Sequence, residues 1–152
     1  MTEIADLTLD ELRLALAPAI ADAAAFDGWG AAGIESAALA QQVDPNVAAL
    51  AFPGGAMDAI AAWIACVDEA MARAHPAESL GNMPVRERIR TLVRFRLDAL
   101  AGREEALRRA LSIMALPSNA ARSAKLGWHS ADAMWRLAGD RATDFNHYTK
   151  RA

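Results

Sequence analysis

A chain of 152 residues that is 54% hydrophobic and 23% charged is enough for one globular domain burying about two thirds of its unfolded surface. Fibres, disorder and small disulfide scaffolds are thereby excluded. The net charge of −3 conceals an asymmetry: residues 1–75 carry two basic groups, Arg13 and Arg73, against eleven acidic ones, a net of −9, while the remainder carries +6. No lysine or arginine lies between Arg13 and Arg73. Aromatic residues make up 6%, and alanine and leucine dominate the apolar count, a composition that favours helix packed on helix over sandwiches or barrels. The single cysteine, Cys66, closes no internal disulfide, fits a reducing compartment, and between Ala65 and Val67 reads as a small core residue. The opening residues MTEIADLTLDE are acidic and polar, unlike a signal peptide. No apolar stretch reaches the roughly 18 residues of a membrane span.

Thr8-Leu9-Asp10-Glu11 has the form of a capping box and predicts the start of a first helix. Its stripe is Leu9, Leu12, Leu16, Ile20 and Ala24, its end Gly28 and Gly30, and Pro18 predicts a kink or a later start. Ile34, Ala37, Ala38 and Gln41 outline a short second helix. Asp44-Pro45 caps a third that runs to about Phe52, where Pro53-Gly54-Gly55 makes a turn. A fourth and longer helix carries Met57, Ile60, Ile64, Val67 and Met71 on one face and stops near His75-Pro76. Residues 77–83 read as a loop. Pro84 opens a fifth helix with the stripe Val85, Ile89, Leu92, Val93, Leu97 and Leu100, ending near Gly102. A sixth, from about Arg103 to Leu116, turns Leu107, Leu111 and Met114 inward and ends at Pro117-Ser118. A seventh, from about Asn119 to Ala138, places Ala124, Trp128, Ala131, Trp135 and Ala138 on one side, with Gly139 as its C-cap. Thr143 caps an eighth, which has no stop signal and so predicts a truncation within it. No period-two strand pattern occurs, so the expected fold class is all-α. Residues 1–76 form a helix-turn-helix-like region and residues 77–152 a carboxy-terminal helical region, within one continuous globular unit.

Catalytic chemistry finds little support. His75, His129 and His147 stand apart, no H-E-x-x-H or E-x-x-H spacing exists, and nucleophile-elbow, phosphate-loop and dinucleotide fingerprints are missing. No metal site, no cofactor and no enzyme are expected; Asp144 and His147 at i, i+3 read as a solvated pair. The first helices have a helix-turn-helix order, yet the reading element Asp44 to Phe52 offers one asparagine and a negative charge, and residues 14–72 hold seven acids and no base. A polyanion is repelled by such a surface, so no nucleic acid is expected as a partner. Trp63, Trp128 and Trp135 read as core anchors and Trp29 as a plug at the first turn. Arg86, Arg90 and Arg94 recur every four residues beside Arg88 and Arg96, a basic stripe that is either a solvated face or a contact for anionic lipid headgroups.

Gly28-Trp29, the run Ile34 to Val43 and Phe52-Pro53-Gly54-Gly55 resemble the amino-terminal part of TetR-type regulators. Arg109 to Asn119, Asp132-Ala133-Met134-Trp135, Ala138-Gly139-Asp140 and Thr143 to Ala152 strongly resemble the family of the ninth coenzyme-Q biosynthesis protein, from roughly residue 12 onward. The resemblance implies a TetR-like, all-helical, lipid-binding accessory protein of ubiquinone biosynthesis. Such a protein has lost DNA reading, holds an isoprenoid quinone precursor and presents it to the di-iron demethoxyubiquinone hydroxylase. On the resemblance, Leu111, Met114, Leu126, Trp128 and Trp135 line the lipid site, and Asp132, Met134, His147, Tyr148 and Arg151 form the hydroxylase-binding patch; His147 stands where the family usually has tryptophan. The later helices, which usually make the homodimer and an amphipathic membrane-seeking segment, are not among these residues. The implied location is the cytoplasm, peripherally on the inner membrane, with an anionic membrane surface as a further contact. A TetR-type transcriptional regulator and a ligand-free helical scaffold are the alternative readings.

Overall fold

The computed structural model describes residues 7–139, and the described chain is all-α, with seven helices and no strand among those residues. They are α1 (Leu9–Asp27), α2 (Ala31–Ala40), α3 (Pro45–Ala51), α4 (Ala56–Ala74), α5 (Val85–Leu100), α6 (Glu104–Met114) and α7 (Ala120–Leu137). The expected eighth helix lies outside the described residues.

The capping box at Thr8 forms: its side chain accepts from the Glu11 N–H, and the Glu11 carboxylate accepts from the Thr8 N–H. α1 then runs without interruption through Pro18, so the later start is not taken. Asp44 caps α3 through the Asn46 N–H, with Pro45 at the first helical position. α1 and α2 approach closely because Gly33 has no side chain; a Cβ there would stand 1.8 Å from the Gly28 carbonyl oxygen. Residues 77–83 are not wholly a loop, since Ala77–Leu80 forms a 3-10 turn that buries Leu80.

Two apolar clusters hold the helices. The larger gathers Leu12, Leu16, Ile20, Trp29, Ile34, Phe52 and Ile60 from the first four helices and their turns, and it draws in Ala106 and Ala110 of α6. The smaller joins Met71, Leu80, Leu92 and Ala138, with Ile89, Phe95 and Met134 packed against it. No single described helix is long and apolar enough to cross a membrane; α3 and α4 together reach that length but are bent by 79° at their junction.

Three expected faces turn out differently. On α6 it is Ala106 and Ala110 that are buried, while Leu107 is half-buried and Leu111 is 55% exposed, because the small side chains let α6 lie close against α1. On α5 only Leu92 of the predicted stripe is fully buried, and Val85, Val93 and Leu97 face solvent. On α7 the expected inward tryptophans are outward: Trp128 is 77% and Trp135 41% exposed. The reason is polar. Ser130 Oγ donates to Asp68 on α4 (3.1 Å), Ser123 Oγ donates to the Met114 carbonyl (2.8 Å), and Arg122 donates to Asp58 (2.7 Å). These contacts orient α7 with its serines inward and its tryptophans out.

Candidate functional site: an apolar cavity between α1, α4, α5 and α6

A cavity of about 190 Å³ opens where α6 crosses α1 and α4. Its walls are almost entirely apolar and include Trp29, Ile60, Trp63, Ile64, Leu107 and Met114. Each wall follows from local structure. Trp29 sits in the turn between α1 and α2, 2% exposed, with its indole N–H donating to the Ala106 carbonyl at 2.8 Å; the polar edge is satisfied and the ring is left as lining. Ala106 and Ala110 keep α6 close without filling the space.

Two arginines stand at the rim. Arg103 lies over the Trp63 ring, its guanidinium carbon 4.9 Å from the centroid, and pairs with Asp22 at 3.0 Å. Arg96 pairs with Asp68, the acid that also receives Ser130. A cation held over an aromatic face is stabilised by the ring quadrupole, so this rim is charged yet anchored.

Of the expected lipid-site residues, Leu111 and Met114 are brought together on this cavity. Leu126 is half-buried in a shallow groove between α4 and α7, beside Ile64 and His129. Trp128 and Trp135, on the outer side of α7, are not among the lining residues. The residues that the sequence reading missed are Trp29, Trp63, Leu107 and the arginines. The sequence marks Trp29, Trp63 and Leu107 only as packing residues, because the cavity they wall is formed between helices far apart in the chain. Of the expected partner patch, Asp132 pairs with Arg136 at 3.0 Å, with 42% of its side chain exposed. Met134 packs half-buried against the smaller cluster. His147, Tyr148 and Arg151 lie outside the described residues.

The surface of α2 and α3 combines exposed apolar and acidic side chains. Arg13 is spent on the Ala51 carbonyl at the end of α3, and Leu39, Val47 and Leu50 are exposed beside Glu35 and Asp44. Asp58 braces the start of α4 by accepting the Gly54 N–H (2.6 Å) and Arg122 (2.7 Å). Burial pushes its carboxyl up, but those hydrogen bonds and the charges of Arg122 and Arg13 together outweigh burial and hold it below the ordinary carboxylate value. Cys66 packs half-buried against the main cluster; burial first, and Glu69 second, push its thiol up, which opposes reactivity. Among the described residues no three His, Cys, Asp or Glu side chains converge as metal ligands.

The chain is similar to known proteins over part of its length. The COQ9 family model matches residues 120–152. The ubiquinone biosynthesis protein COQ9, mitochondrial, of Rattus norvegicus and that of Homo sapiens are each 47% identical over 64 residues, which is 42% of this chain and 20% of each relative. That of Bos taurus is 52% identical over 44 residues, 29% of this chain and 14% of the relative. The aligned segment is therefore a fifth or less of these relatives, shorter than the resemblance read from the motifs.

Proposed function

We propose, from the match of residues 120–152 to the COQ9 family model, that the chain acts in ubiquinone biosynthesis as a non-enzymatic accessory protein. In this reading it holds the apolar part of an isoprenoid quinone precursor and presents it to the demethoxyubiquinone hydroxylase, working peripherally at the membrane where such precursors dissolve. The observation that carries it is the cavity, apolar-walled and reached by both Leu111 and Met114. A dry cavity of about 150 Å³ with apolar walls takes one benzene, whereas sites for whole drug-sized ligands are about 300–1,000 Å³. A space of about 190 Å³ thus has room for one ring or a short stretch of prenyl chain, and the rest of such a ligand would pass out beside the exposed Leu111. The charge pattern supports loss of DNA reading: no base stands between residues 14 and 72, and Arg13 is engaged on a carbonyl. Asp132 and Met134, with His147, Tyr148 and Arg151, are the positions for the hydroxylase.

The test is mass spectrometry of the organic extract of the purified chain beside a mock purification from the same cells. Enrichment of an isoprenoid quinone or its precursor is expected; no enrichment would refute lipid holding by this chain. Tyr148→Ala is expected to weaken hydroxylase binding with the fold intact, and unchanged affinity would remove the patch.

A further inference from the structure

α5 has two sides with different tasks. On the inner side, Arg88 donates to three carbonyls, those of Met83 (2.7 Å), Ala138 (2.9 Å) and Gly81 (3.1 Å), and Arg96 is paired with Asp68. These two arginines are structural and unavailable to a partner. On the outer side, Arg86, Arg90 and Arg94 run along one edge, and Ile89, Val93 and Leu97 run beside them, together forming one shallow groove. Two of the apolar members are open to solvent, Val93 at 39% and Leu97 at 62%, while Ile89 is half-buried against the smaller cluster and reaches the groove with its remaining surface. Of the three arginines only Arg90 has an acidic partner among the described residues, Glu87 at 3.1 Å, and that pair is itself exposed. Asp98 is the other acid at this groove.

Apolar side chains in line with cations, on a helix that buries only Leu92, match the chemistry of an anionic lipid interface: acyl boundary for the apolar row, phosphate for the guanidinium row. The charge of the helix points the same way. α5 itself holds five arginines against two acids, Glu87 and Asp98, a net of +3 over residues 85–100, which attracts a negatively charged surface. The groove also adjoins the cavity, because Leu100, one turn beyond Leu97, is a cavity wall.

We propose that the outer face of α5, Arg86, Arg90 and Arg94 with Ile89, Val93 and Leu97, seats the protein on an anionic lipid bilayer and sets the cavity mouth beside it. The face is about 16 Å long at 1.5 Å per residue, and its arginines reach phosphates while their stems lie along the apolar row. This rests on the reading that the protein works at a membrane.

The experiment is flotation of the 152-residue chain with vesicles of 70% phosphatidylcholine and 30% phosphatidylglycerol, and with pure phosphatidylcholine. The wild type is expected to float with the anionic vesicles, less so as salt rises, and not with the neutral ones. Arg86→Glu/Arg94→Glu is expected to lower the affinity about tenfold or more, and Leu97→Glu severalfold. Arg108→Glu/Lys125→Glu, with the same net charge but off α5, is expected to bind markedly better than the α5 double variant; circular dichroism establishes that each variant is folded. Equal losses in the two double variants would reduce the effect to net charge and overturn the α5 assignment. Wild-type affinity in the α5 variants would overturn it while leaving membrane work intact. Failure of the wild type to float would overturn both. A dimer in the wild type that Leu97→Glu converts to a monomer, with flotation unchanged, would give the face to a second copy and overturn the proposal.

Discussion

Replacing Trp29 by phenylalanine tests the junction on which the cavity depends. The indole is 2% exposed and its N–H reaches the Ala106 carbonyl, 77 residues away in sequence, at 2.8 Å. A net loss of about 1 kcal/mol follows from the missing hydrogen bond. Trimming the ring opens a void of a few tens of Å³, which at about 24 cal/mol per Å³ adds about 1 kcal/mol. The sum of about 2 kcal/mol corresponds to a Tm lower by about 4–8 °C for a chain of this size. Thermal unfolding followed by circular dichroism, with urea unfolding to verify an unchanged m value, measures it. Trp128→Phe is the internal control: that side chain is 77% exposed, and its Tm is expected to stay within about 1–2 °C of wild type. A Trp29→Phe protein melting within a degree of wild type, or a Trp128→Phe protein losing as much, would refute the assignment of the two tryptophans to wall and surface.

Asp58 is held below its ordinary pKa, so its contribution to stability is present above the unfolded-state value of about 3.9 and is lost as pH falls through the folded-state value. Asp58→Asn is therefore expected to flatten the acid limb of a stability-versus-pH curve from urea unfolding, and an unaltered slope below pH 5 would contradict the pairing with Arg122. Gly33→Ala is expected to cost about 2–4 kcal/mol, read by the same urea titration, since its Cβ would collide with the backbone at Gly28. Cys66 is expected to react with iodoacetamide at pH 8 severalfold more slowly than a free thiol in a short peptide, because its thiol is pushed up by burial; equal rates would place it in solvent.

How much was legible depended on how local the cause was. The Thr8 capping box, the Asp44-Pro45 start, the stop at His75 and the glycine after α7 are decided by neighbours within four residues, and all appear where the periodicity and caps place them. The carboxy-terminal motifs likewise carried the family resemblance by themselves. What failed was the direction of faces. A stripe such as Trp128, Ala131 and Trp135 shows that a helix is amphipathic, but which stripe is covered depends on the helices opposite.

The sequence by itself therefore determined the all-α class, the helix order and the charge asymmetry, because backbone hydrogen bonding, capping and composition are properties of short segments. Only the tertiary structure decided that Ser130 and Ser123 face inward, since Asp68 and the Met114 carbonyl wait for them on other helices. It likewise decided that alanines rather than leucines bring α6 onto the core, and that Trp29 and Trp63, 34 positions apart in the sequence, meet across one cavity. Close packing makes such pairings a property of the whole set of helices at once, and no window of the chain contains both partners.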